Sequence, residues 1–251
     1  MSKHRQTPFP IGDLFREYLS GFSPVAPSVG EADQNACHTY EVLGLEGGPV
    51  LTIIPSGRLV ICSEEAITGK RYRVSFGKEQ AHTATTQATL TMADEPLEGL
   101  VHWHVEITFS RLHPELLAPS KTHETGHISD DTVVMRQRDR EITYERTNCV
   151  HTQWTLPDVF SEVKAKGKAF EFDLLQNAQV FRPKQVLTYE GESEFVVKDG
   201  QSVTWGHFLH LGYGTLPTSY LVDASGVVQI VTGGVNSLAL MALDPFGVVD
   251  R

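Results

Sequence analysis

Residues 101–109 read Val-His-Trp-His-Val-Glu-Ile-Thr-Phe, a stretch in which chemistry-bearing and apolar side chains strictly alternate. On a β-strand, successive side chains point to opposite faces, so His102, His104, Glu106 and Thr108 form one row and Trp103, Val105, Ile107 and Phe109 the other. Two imidazoles and a carboxylate in a row can pass a proton, because imidazole both accepts and donates one near neutral pH. In that reading His102 or His104 is the base and Glu106 orients it or shares its proton. Tyr40, or a guanidinium from Arg71 or Arg73, stabilises the negative charge that develops on the substrate. His210 shares a strand face with Gly206, Phe208 and Gly212, where the glycines leave room for a ligand. Arg71, Arg73, His210 and Trp103 are therefore expected to hold the substrate, and His102, His104, Glu106 and Tyr40 to act on it. If the apolar row lines a hollow and the histidines face water, this catalytic reading loses its main support.

Other constellations are weaker. The His-x-His-x-Glu row has the donor types for a divalent metal, but its carboxylate stands closer to the second histidine than in a cupin site, and no metal is assigned. His123-Glu124-Thr125-Gly126-His127 spells the zinc-protease letters HExxH, which need a helix to bring both histidines to one side. Pro119, Thr122, Thr125, Gly126, Ser129 and the Asp130-Asp131 pair are poor helix material, so residues 119–131 are expected to form an exposed loop. Cys37, Cys62 and Cys149 are odd in number, far apart and without a CxxC pair. They read as buried free thiols in a reducing compartment. No Gly-x-Ser-x-Gly elbow, dinucleotide fingerprint or phosphate loop is present.

The elements that must position these residues are mostly strands. Ile11, Leu14, Phe15, Tyr18 and Leu19 have helical spacing and predict one helix over about 11–20. Short segments rich in β-branched and aromatic residues then recur at 37–45, 50–54, 58–63, 70–76, 82–92 and 101–109, separated by Gly47-Gly48, Pro55-Ser56-Gly57, Thr68-Gly69 and Asp94-Glu95-Pro96. A hairpin is expected over 132–138 and 141–149, and a short helix over 157–166, with Gly167 as its stop and a possible subdivision of the chain near 150–167. Strands resume at 168–175, 185–189, 194–198, 201–211, 218–222 and 227–232, with Asp199-Gly200 as a hairpin turn. About a dozen half-apolar strands are best buried by a large curved antiparallel sheet or open β-barrel with one or two short helices, here taken as a single domain over 1–251.

Trp205-Gly206-His207-Phe208-Leu209-His210 followed by a Tyr-Leu-Val-Asp-Ala-Ser-Gly hairpin at 220–226 resembles the curved sheets of lipocalin-like and bacterial lipoprotein-carrier-like proteins. The resemblance covers about a quarter of the chain and implies a calycin-like sheet that cradles an apolar ligand.

Composition sets the remaining bounds. Hydrophobic residues make up 40% and charged residues 21% of 251, as in a globular protein. A net charge of −10 disfavours nucleic acid as a partner, since phosphate neutralisation needs clustered Lys and Arg. No apolar run reaches membrane-spanning length, and the amino end lacks the apolar core of a secretory signal, so a cytoplasmic location is expected. The sequence thus points to a cytoplasmic enzyme, a lyase, isomerase or hydrolase, that binds a small apolar or aromatic molecule in a β-sheet cavity and moves protons without an organic cofactor. The alternatives are a non-catalytic carrier of an apolar ligand and a metal-dependent His/Glu hydrolase, and a homodimer is compatible with either.

Overall fold

The computed structural model describes residues 13–26, 36–46, 52–67, 69–78, 84–109, 120–233 and 237–245. Ile11, Val50, His82 and Pro119, and most of the loop expected before residue 36, lie outside them. Helix α1 (Asp13–Gly21) comes first. Strands β1 (Ala36–Glu46), β2 (Thr52–Glu65), β3 (Lys70–Lys78), β4 (Ala84–Met92), β5 (Leu100–Phe109), β6 (Ser120–Ser129), β7 (Thr132–Gln137) and β8 (Arg140–Glu145) then form one antiparallel meander. A short β9 (Val150–His151), a 3-10 turn at Leu156–Val159 and α2 (Phe160–Lys166) lead into a second meander. It comprises β10 (Phe170–Gln176), β11 (Val180–Val196), β12 (Ser202–Gly212), β13 (Thr218–Val222), β14 (Val228–Gly233) and β15 (Ser237–Pro245). β15 pairs antiparallel with β1, so the two meanders make one continuous sheet whose edges are β8 and β9.

The sheet is strongly curved and does not close on itself. Instead it rolls past its own edge. Glu124 of β6 accepts a hydrogen bond from Gln179, between β10 and β11, at 3.2 Å. Tyr144 of β8 meets Phe181 of β11 with ring centroids 5.2 Å apart. Alternation decides which side chains enter the roll: Tyr40 and Val42 of β1, Tyr72 and Val74 of β3, Leu90 of β4 and Trp103 and Val105 of β5 share one large core. The segment after β9 fills the hollow. Trp154, Leu156, Val159, Phe160 and Val163 are buried, and the Phe160 ring stacks on Phe208 of β12 at 4.3 Å. Gly167, with φ of 59°, ends α2 in the left-handed conformation that glycine favours. On the outer face, α1 lays Phe15 and Leu19, with Phe22 just beyond its end, over Leu43, Trp205, Leu221 and Ile230, a second and smaller core.

Four local expectations are corrected. Residues 120–129 form β6, paired along its length with β5, instead of an exposed loop. The Pro55-Ser56-Gly57 break is a bulge within β2, where the Ser56 hydroxyl donates to the Val42 carbonyl at 3.1 Å, so the two expected strands are one. Likewise β11 runs unbroken through a bulge between Tyr189 and Gly191, joining the strands expected at 185–189 and 194–198. Finally, Cys37 and Cys62, directly opposite on β1 and β2, form a disulfide, and Cys149 alone is a free thiol. The free-thiol reading failed because cysteines 25 residues apart in sequence become cross-strand neighbours through a hairpin.

Candidate functional site

The roll leaves a partly open cavity of about 130 Å³ between the inner faces of β1 to β3, β10, β12 to β15 and residues 153–157 of the filling segment. Its walls are mainly apolar, from Leu59, Ile61, Phe76, Trp154, Leu174 and Val231 among others, each placed inward by strand alternation or by the turn before α2. For comparison, an engineered apolar cavity of about 150 Å³ stays dry and takes up benzene. The space therefore suits a small ring or the end of an alkyl chain. None of the described residues that line it carries a formal charge.

Besides the neutral side chains of Gln153, Gln176, Asn177, Thr215 and Thr218, titratable groups enter the cavity at two places. At one, His210 Nε2 lies 3.0 Å from Gln185 Oε1, which also accepts from the Thr215 hydroxyl at 2.9 Å. Burial lowers the His210 pKa to about 4, so the ring is neutral at physiological pH. At the other, the Tyr40 hydroxyl is 3.4 Å from His38 Nδ1, and Tyr220 adds a second phenol to the cavity wall. Burial pushes both phenols well above their ordinary value, so each stays protonated and can donate a hydrogen bond. Beside Tyr40, burial and then the nearby Lys70 ammonium lower the His38 pKa to about 4. The cavity thus offers hydrogen-bonding groups that remain neutral across the neutral pH range.

Asp158, on the 3-10 turn, fastens the filling segment to the sheet. It accepts hydrogen bonds from the Tyr72 hydroxyl and, at 2.9 Å, from Lys70 Nζ, both on β3. Asp173 of β10 does similar work at the opposite end of the segment, where its buried carboxylate accepts from the backbone N–H groups of Thr147, Asn148 and Lys184. His151 of β9 is fully buried edge-on against Phe170 and Phe172, with neither ring nitrogen hydrogen-bonded among the described residues. Burial takes its pKa down to about 4.

The structure brings together only part of the set read from sequence. Tyr40 and His210 line the cavity. Trp103 points into the roll but packs beneath β6, away from the cavity, with only 2% of its surface exposed. His102 and His104 are exposed on the outer face and Glu106 is half-buried there, because Trp103, Val105 and Ile107 take the inner positions. Arg71 and Arg73 are also on the outer face, paired with Glu64 at 3.4 and 3.0 Å. The row is thus turned away from the hollow, and the acid–base constellation is not assembled. Sequence reasoning missed Tyr220, Gln185 and Trp154. Tyr220 was within reach, since Thr218, Tyr220 and Val222 alternate on one face of a strand that was recognised.

No family model and no curated protein matches the chain. Among solved structures, the chain is similar to a crystal structure from Brucella abortus, a β-barrel-like protein of the domain of unknown function DUF1849. The TM-score is 0.56 at 11% sequence identity, over 85% of this chain and 98% of the other. The likeness establishes a β-barrel-like fold.

Proposed function

We propose that the protein is a non-catalytic binder of a small, neutral, apolar or aromatic molecule held in the hollow of its rolled sheet. The observation that carries this reading is a mainly apolar cavity in which no described lining residue carries a formal charge and whose titratable groups, His210, Tyr40 and Tyr220, are all neutral hydrogen-bonding groups. A carboxylate ligand entering there would lose its hydration and meet no cation, a penalty of several kcal/mol. A phenol or ketone of similar size loses far less and finds a partner at either polar patch. The neutral His210 and the outward-facing His102, His104 and Glu106 leave proton-transfer catalysis without a base inside the hollow. The Cys37–Cys62 disulfide favours an oxidising compartment over the cytoplasm, where thiols are kept reduced. No helix among the described residues is long and apolar enough to cross a membrane.

Calorimetric titration with p-cresol and with benzoate at pH 7 separates this reading from its rivals. The neutral phenol is expected to bind and the anion to show no measurable heat. Equal binding of both, or preference for benzoate, contradicts a charge-free binding site.

A further inference from the structure

The two histidine motifs that lie about twenty residues apart in sequence become neighbours on the outside of the roll. β5 and β6 pair so that His102 stands opposite His127, His104 opposite Thr125, and Glu106 opposite His123. Strand alternation then puts four imidazoles and one carboxylate on a single outer face, the one pointing away from the ligand cavity. The four histidines are exposed and Glu106 is half-buried. Within this patch His104 and His123 have ring centroids 5.9 Å apart, and His123 Nδ1 is 3.7 Å from Glu106 Oε2.

These separations are close to those a shared metal ion imposes. With metal–nitrogen and metal–oxygen bonds of about 2.0–2.2 Å in a tetrahedral site, two donor atoms lie about 3.4 Å apart and two imidazole centroids about 5 Å apart. We propose that His104, His123 and Glu106 form a surface site for a divalent transition ion of the zinc or copper(II) type, with water completing its coordination. The donor set selects the class of ion: imidazole suits zinc and copper, whereas magnesium and calcium take oxygen ligands. Among the described residues no three such donors already surround an ion position. Closing this one takes rotation of exposed side chains on a fixed ladder. Lys121 donates to the other carboxylate oxygen, Glu106 Oε1, at 2.8 Å. Glu106 Oε2 is left to face His123. The His102–His127 pair is a second imidazole couple next along the ladder.

The test is zinc titration of the untagged full chain by calorimetry, with magnesium as control. Copper(II) broadening of the histidine ring signals in NMR is read alongside. One zinc ion per chain is expected. Each of His104→Gln and His123→Gln should weaken it by tenfold or more, because even partners outside the first coordination sphere are worth about 10–100-fold. The double variant should lose it while keeping the thermal midpoint of the metal-free protein, since both side chains are exposed. Copper(II) should broaden the His104 and His123 signals first. Wild-type protein that takes up no zinc at millimolar concentration overturns the proposal. So does a double variant that binds as wild type, which would put the ion on other histidines, or broadening that spares His104 and His123.

Discussion

Gly126 shows how one residue is fixed by a partner distant in sequence. A Cβ at this position would lie 2.1 Å from Cζ2 of Trp103, so the indole occupies the space that any side chain would need. Trp103 is buried and its Nε1 has no hydrogen-bond partner among the described residues, so its contribution is packing alone. Gly126→Ala is therefore expected to destabilise by about 1–3 kcal/mol through overpacking. Trp103→Ala is expected to cost about 3–5 kcal/mol through cavity formation. The two must couple, because removing the ring removes the clash: the double variant should be more stable than the sum of single losses implies. Urea unfolding midpoints of the four proteins check this. Additive losses would show that the glycine is there for some other reason. Nothing local in the sequence reveals the contact, and Gly126 instead weighed toward a loop because glycine is a poor helix former.

At the scale of elements, the legible features were those with local causes. The Asp199-Gly200 turn, both residues at positive φ, closes the β11–β12 hairpin as its sequence implies. The α2 segment starts after Pro157 and stops at Gly167 as the proline and glycine positions require. What could not be read depended on neighbours. Pro55-Ser56-Gly57 has the composition of a turn, yet it is a bulge because β1 supplies Val42 as partner for the Ser56 hydroxyl. The face of β5 that looks inward was undecided from sequence, since alternation gives two faces and not their destinations. The choice was made by β6 and β4, against which Trp103 and Val105 are covered. Of the cavity's lining, Tyr40 and His210 were found because they sit on strands recognised from sequence, while Trp154 owes its place to a chain segment packed from elsewhere. The filling segment itself is held by Asp158 to Lys70 and Tyr72, a link across more than eighty residues that no local pattern encodes.

For the whole molecule, burial of histidines ties stability to pH. His151 and His210, each nearly inaccessible, have folded-state pKa values near 4, below the ordinary 6.5, because burial disfavours the charged ring. As pH falls through about 6.5 the unfolded chain takes up protons that the folded chain refuses, so stability drains between pH 6.5 and about 4. Each ring contributes at most roughly 3 kcal/mol across that window. Urea midpoints should fall steeply from pH 7 to 4.5, and His151→Phe should flatten the curve. A pH-independent midpoint would mean these rings are hydrated. The same exclusion of charge defines the central claim, that the roll encloses a neutral binding hollow while its outer histidine face takes no part in ligand binding. Amide chemical-shift mapping during a p-cresol titration tests this most directly. The account requires the largest shifts at inner-face positions around the cavity, Tyr40, Leu59, His210, Tyr220 and Val231, with residues 102, 104 and 106 unmoved. Shifts centred on His102, His104 and Glu106, with the cavity positions silent, would contradict it.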